Sequence, residues 1–237
     1  MITYRITHRT HYAYSSTVSY GQNQVMLFPR EEPYVELHSH RLSISPEPDA
    51  SSSRLDFFGN RVNTFSVMAP HQDLEITATS RVTIHQQLLP SPDQTMAWEA
   101  LTHSLDLQAD SNWLDVCPFR QDSPRIERNL TFADYARASF VSARPVLAAA
   151  LDLTDRIYHD FAYETDATSV NTSPAEAFAL RKGVCQDFAH VQITCLRSLG
   201  IPARYTSGYL RTIPPPGKKR LIGADQSHAW VSVYCGA

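Results

Sequence analysis

The stretch Gly183-Val-Cys185-Gln-Asp187-Phe-Ala-His190-Val-Gln-Ile-Thr-Cys195-Leu-Arg-Ser-Leu199-Gly200 decides how the rest of the chain is read. Phe188, Val191, Cys195 and Leu199 recur close to helical spacing, so the stretch predicts a helix over 185–199. Gly200 suits the left-handed residue that follows a helix, and Pro202 prevents continuation. Cys185 then stands where the helix begins. Backbone N–H groups are unpaired there and the helix dipole is positive. Both favour a thiolate over a thiol.

A nucleophilic cysteine needs a base within reach and a group that orients the base. The chain has 10 histidines, so geometry must choose among them. His190 is five residues after Cys185, which at ~100° per residue puts it ~140° around the helix. It is read as a packed or surface helix residue. Cys195 is read as a small buried hydrophobe, and Cys117 and Cys235 as structural or incidental. His228 is different. It opens an alternating run, His-Ala-Trp-Val-Ser-Val-Tyr, that predicts a strand over 228–234. A cysteine at a helix start and a histidine on a later strand follow the papain-like chain order. Between them, 203–210 reads as a strand. The segment 213–222 holds Pro214, Pro215, Pro216, Lys218, Lys219 and Arg220 and reads as a loop. That loop is a solvated charged segment or a cleft rim favouring acidic substrates.

Upstream, Ser173-Pro174-Ala-Glu176 has the order of a capping box, with the helix running to about Lys182 and stopping at Gly183. Helices are also predicted over 131–140 and 145–161. Residues 1–88 are rich in alternating Ile, Thr, Tyr and Val, and predict an antiparallel β-sandwich. Gly59-Asn60 between two alternating runs predicts a two-residue hairpin. Residues 89–125 read as a connector, with a helical pattern near 98–107. Residues 126–237 read as the catalytic core.

Composition excludes several classes. At 237 residues the chain can bury a core without disulfide staples. With 43% apolar and 19% charged residues it is not broadly disordered. A net charge of -3 argues against a nucleic-acid surface. No apolar run approaches the ~20 residues of a membrane span, and the N-terminus has no signal-peptide core. The expectation is a cytoplasmic protein with free thiols that touches neither membrane nor nucleic acid. Four cysteines match no zinc spacing, His38-x-His40 is a pair without a third ligand, and no calcium-type acidic loop occurs. No cofactor or metal is expected.

Three blocks together resemble the core of the transglutaminase-like superfamily in its bacterial branch. They are Gly183-Val-Cys185-Gln-Asp187-Phe-Ala-His190, Leu199-Gly-Ile-Pro-Ala-Arg204-Tyr-Thr-Ser-Gly208-Tyr-Leu, and Asp225-Gln-Ser-His228-Ala-Trp230-Val-Ser-Val-Tyr234. His8-Arg-Thr-His-Tyr12-Ala-Tyr14 and Leu27-Phe-Pro29-Arg30 are similar to the β-rich region that precedes that core. The resemblance implies an α+β fold: an N-terminal antiparallel β-sandwich followed by a papain-like, transglutaminase-like core. It implies a cysteine protease, amidase or acyltransferase acting on the amide of a peptide or protein substrate. Cys185 carries over as nucleophile and His228 as general base and acid. The Cys185 backbone N–H is an oxyanion donor, with Gln186 a candidate for the second. Asp187 and Trp230 are supporting candidates. The family's third residue, an Asp, lies on the strand after the histidine strand, and the chain stops at Cys235-Gly236-Ala237. The expectation is therefore a shortened form of a longer enzyme or a natural truncation, with an open strand edge at 228–234 and either weakened activity or a homodimer paired through that edge. The alternative is a non-catalytic peptide- or protein-binding scaffold on the same fold.

Overall fold

The computed structural model describes residues 1–87, 89–211 and 227–236. The chain divides into two compact units, Met1–Leu89 and Pro90–Ala237.

The first unit is all β. Strands β1 (Ile2–Val18), β2 (Gly21–Val25), β3 (Val35–Ser45), β4 (Ala50–Leu55), β5 (Arg61–Val67) and β6 (His71–Ile84) form two three-stranded antiparallel sheets. β6 is central in one, between β1 and β3, and β5 is central in the other, between β2 and β4. The period-2 pattern decides which residues turn inward. Phe65 and Val67 of β5 meet Leu74 and Ile76 of β6, and Tyr14, Val25, Leu27, Leu42 and Ile44 close around them. Both sheets thus feed one core, as a sandwich requires.

Two local expectations are corrected here. The β4–β5 connection is not a two-residue hairpin. Its five residues, 56–60, are held by the Asp56 carboxylate, which accepts from Phe58 N at 2.9 Å, Asn60 N at 2.8 Å and Asn60 Nδ2 at 2.9 Å. A short polar side chain bonding its own loop outcompetes the tighter turn. The His38–His40 pair does not share a strand face, because the register with β6 slips between Leu37 and Ser39. His38 meets the Thr83 hydroxyl at 2.6 Å and His40 the Ser80 hydroxyl at 2.9 Å.

The second unit carries α1 (Trp98–Asp106), α2 (Trp113–Val116), α3 (Leu130–Arg137), α4 (Val146–Asp160), β7 (Ala162–Tyr163), α5 (Pro174–Leu180), β8 (Lys182–Gly183), α6 (Cys185–Ser198), β9 (Ala203–Tyr209) and β10 (Ser227–Val233). β9 and β10 form an antiparallel pair, and β7 and β8 a short parallel one. The stretch read as a connector lies in this unit, where α1 sends Leu101 and Leu105 into the core.

α6 is the axis of this unit. Every residue from Val191 to Arg197 is buried, so the helix is enclosed on all sides rather than amphipathic. α3, α4, α5, β9 and β10 pack around it. Its C-terminus is fixed by Arg197, whose guanidinium donates to Ala203 O at 2.8 and 3.0 Å, to Gln121 O at 2.9 Å and to Ser123 Oγ at 3.2 Å. No carboxylate is among those partners. Gly200 follows at φ +79°, a conformation that favours glycine. The chain then doubles back as β9, against the helix it has just left.

α5 opens on the expected capping box. Ser173 Oγ accepts from Glu176 N, and the Glu176 carboxylate accepts from Ser173 N. It ends earlier than expected, at Arg181, which takes the left-handed conformation at φ +55°. The compensation is aromatic: the Arg181 guanidinium lies 4.0 Å from the Phe178 ring centroid, 4.7 Å from Phe161 and 4.9 Å from Tyr135. This box turns the chain into β8, which leads directly to Cys185.

Candidate active site

Gly183, Val184 and Asp187 build the start of α6. Val184 is the cap residue, in an extended conformation. Its N–H donates to Asp187 Oδ2 at 2.8 Å, and Thr168 Oγ1 donates to the same oxygen at 2.7 Å. Asp187 is 2% exposed, so a buried carboxylate answers two partly buried donors. Gly183 makes room for it. A Cβ there would stand 2.6 Å from Asp187 Oδ2, closer than real contacts allow. The glycine, the cap and the carboxylate are one device, and it presents Cys185 as the first residue of the helix.

The device leaves the mouth of the helix open. The first helical bond runs from Phe188 N to Val184 O. The amides of Cys185 and Gln186 precede it and find no acceptor within the helix. Cys185 thus stands at the positive end of the helix with its thiol half-buried.

The loop after β7 walls this mouth. Glu164 N donates to Gly183 O at 3.0 Å, Lys182 pairs with Glu164 at 2.9 Å, and Arg125 donates to Val170 O at 2.7 Å. Tyr163, Glu164, Thr165, Asp166 and Ala167 line an open hollow of about 370 Å³ beside β7.

β9 forms another wall. Ala203 and Tyr205 share one strand face with their partners Val233 and Val231; Ala203, Val231 and Val233 pack on the core, while Tyr205 stays 39% exposed. The Tyr205 ring stacks on His190 with centroids 5.0 Å apart and planes 26° from parallel. Burial pushes the Tyr205 phenol up, and the charges of Cys185 and Asp187 push it further. Burial holds the His190 imidazole below its ordinary value, Arg125 adds to that, and Asp187 opposes it.

The sequence-derived residues fall into two groups. Cys185, Gln186 and Asp187 share the first turn of α6, and His190 sits one turn further on. His228 and Trp230 lie on β10, on the strand face shared with Ser232, whose hydroxyl meets Thr206 at 3.0 Å. His228 is opposite Gly208 in the register. Trp230 covers that glycine: a Cβ at 208 would stand 2.6 Å from the indole. Among the described residues no hydrogen bond joins Cys185 to His228. Catalytic hydrogen bonds of this kind commonly tighten only with substrate in place. Asp187 serves the cap and the Thr168 loop. Asp225 and the basic segment Lys218-Lys219-Arg220 lie outside the described residues.

Cys195 is fully buried, and burial pushes its thiol up to about 12. Cys235 packs against the core and its thiol is also raised by burial. Tyr205 is the residue that reading the sequence missed. Its alternation on β9 was visible, but the face turned to α6 was not.

Residues 4–83 match the family model described as the bacterial transglutaminase-like N-terminal region, and residues 133–237 match that of the transglutaminase-like superfamily. An uncharacterized protein of Mycobacterium tuberculosis is 41% identical over 98% of this chain and 73% of its own length. A protein-glutamine gamma-glutamyltransferase of Pseudomonas aeruginosa is 27% identical over 58% of this chain and 20% of its own. The crystal structure of a protein from Cytophaga hutchinsonii, described provisionally as a cysteine protease, superposes with a TM-score of 0.71 at 20% identity, covering 99% of this chain and 73% of that one. That last likeness concerns the fold.

Proposed function

The chain belongs to the transglutaminase-like superfamily, and from that premise we propose that it carries out cysteine-dependent acyl transfer on amide or peptide carbonyls. The observation that carries this reading is the position of Cys185: first residue of an enclosed helix, at its positive end, with a buried carboxylate bracing the cap.

The chemistry follows from those groups. The Cys185 thiolate attacks the carbonyl carbon, and the carbonyl oxygen becomes an anion facing the amides of Cys185 and Gln186. The C–N bond then breaks. The departing nitrogen takes a proton from the His228 imidazolium and leaves as ammonia or an amine, and the acyl group stays on sulfur as a thioester. Water or an amine next attacks the thioester and gives its proton to His228. The acyl group leaves, and the thiolate returns.

Hydrolysis is slightly favoured over transamidation. A cross-linking enzyme must keep water from its thioester, and Cys185 is only partly buried. The test is product analysis on blocked glutaminyl peptides with a primary amine present. Ammonia or a new amino terminus without isopeptide, lost in Cys185→Ala, supports the proposal. Isopeptide as the main product replaces hydrolysis by transamidation. Peptide binding with no acyl adduct on Cys185 overturns catalysis in favour of a binding scaffold.

A further inference from the structure

The outward face of the β1–β6–β3 sheet has no part in the reaction as written, yet its middle carries charge of one sign. The register sets Arg5 directly opposite Arg81, with Ser39 on the far side of Arg81. In the next row Arg41 and Thr7 flank Thr79, and in the one after that Arg9 lies opposite Thr77. The other face sends Leu42, Leu74 and Ile76 into the sandwich core, so these arginines stand on the solvent side, and all four are exposed. The ion pairs of this sheet are made by Arg9, His11, His38 and His85, and among the described residues none is made by Arg5, Arg41 or Arg81. Like charges directly opposite across a strand pair weaken a sheet. A threonine at position 5 or 81 would suit the strand and remove the repulsion. An anion from outside removes it equally well.

The extent of the patch says which anion. Positions sharing a face recur about every 7 Å along a strand and strands lie about 4.8 Å apart, so the three unpaired arginines fall within about 12 Å of one another. Carboxylates on the same face close both ends: Glu75 and Asp73 beyond Arg9, and Glu36 opposite Thr83. A nucleic acid or an anionic bilayer would run on over those carboxylates. The face also carries no Phe, Tyr or Trp on which bases could stack. A short extended peptide meets both limits, since its alternate side chains repeat at the same about 7 Å and it can end where the carboxylates begin.

We propose that this face docks a short acidic segment of a partner protein, whose carboxylates lie against Arg5, Arg41 and Arg81, with the Thr7 and Ser39 hydroxyls as further donors. The proposal does not depend on the chemistry at Cys185.

The experiment titrates the full chain into a fluorescein-labelled, end-blocked peptide of alternating glutamate and serine and follows anisotropy at low salt and at about 0.15 M salt. Wild type binds the peptide, more weakly at the higher salt. Arg5→Gln, Arg41→Gln and Arg81→Gln each weaken binding about two- to fivefold, the size of an exposed ion pair. Arg54→Gln, the same charge change on β4 in the other sheet, leaves binding unchanged. No binding by wild type, or an equal loss in Arg54→Gln, overturns the proposal. A peptide of alternating lysine and serine tests the charge without any variant, and its binding as tightly as the glutamate peptide overturns it too. Tighter binding to a thymidine oligonucleotide, or to phosphatidylcholine vesicles containing phosphatidylserine, replaces the peptide by that polyanion and overturns the assignment. Failure of the functional reading registers elsewhere, as turnover that survives Cys185→Ala.

Discussion

The Asp187 carboxylate occupies the space that a side chain on Gly183 would need. The two residues flank Cys185 by two positions on either side, so Cys185 is held by a steric fit as well as by a cap. Asp187→Ala strands the Val184 N–H and the Thr168 hydroxyl, both partly buried, at a cost of about 1–3 kcal/mol. Gly183→Ala forces the carboxylate aside and loses part of the same interaction. The double variant Gly183→Ala/Asp187→Ala is therefore clearly less destabilised than the sum of the single ones. Urea denaturation of all four proteins checks this, and strict additivity would refute it.

Cys185→Ala abolishes turnover and shifts stability by less than about 0.5 kcal/mol, as expected of a substitution at a half-exposed position. Cys195→Ala does the opposite, costing about 1 kcal/mol through a small core defect while leaving turnover intact. Alkylation separates them: Cys185 reacts in the native protein, and Cys195, with its thiol pushed up to about 12 by burial, reacts only on unfolding. Native labelling of Cys195 ahead of Cys185 would reverse the assignment.

His190 makes stability pH-dependent. Its folded-state value lies below the unfolded one, chiefly through burial. The folded protein therefore holds the neutral imidazole better than the unfolded chain does. The associated stability is present above about pH 6.5, the unfolded histidine value, and is lost as pH falls through the lower folded value. His190→Gln flattens that decline in the second unit. His40 is also lowered, by burial and by Arg61, and adds a similar decline in the first unit. Following thermal unfolding from pH 7.5 to 5 in His190→Gln and His40→Gln tells the two contributions apart. An unchanged slope in His190→Gln counts against the first.

Much of this site is legible in the residues themselves. Apolar spacing with Gly200 and Pro202 fixes α6, and Ser173 with Glu176 fixes the start of α5. Cys185 at the helix start follows from those boundaries. Other features depend on partners distant in sequence. β7 and β8 are two residues each, too short to show a period. Arg181 ends α5 in a conformation usually left to glycine, because three rings from other elements receive its guanidinium. Asp187 reads as a triad helper until the loop bearing Thr168 is folded over it. The five-residue turn at Asp56 was disguised by Gly59-Asn60, which suggests a tighter one. The positions of His228 and Trp230 on β10 follow from alternation, whereas their role remains with the chemistry proposed above.

Arg197 holds the far end of α6 to β9 through the Ala203 carbonyl and to the segment before α3 through the Gln121 carbonyl and the Ser123 hydroxyl. Arg197→Met leaves the Ala203 and Gln121 carbonyls without a donor and costs about 3 kcal/mol or more, since each bond to a charged donor contributes about 1.5–3 kcal/mol. Arg197→Lys recovers little of this, because one ammonium cannot reproduce the planar fork. Chemical denaturation of both variants checks the order. A lysine variant as stable as wild type would show that the charge matters and the fork does not.

The aromatic box of Tyr135, Phe161 and Phe178 is already filled by the chain's own Arg181. Guanidinium chloride is then more than a denaturant for this protein: it supplies in free form the ion that the box holds. Urea is neutral and cannot compete for the rings on the same terms. Because that box steers the chain into β8, its loss loosens the segment entering Cys185 before the helix itself unravels. At low concentrations of guanidinium, but not of urea or sodium chloride, the turnover proposed above falls while the protein is still folded.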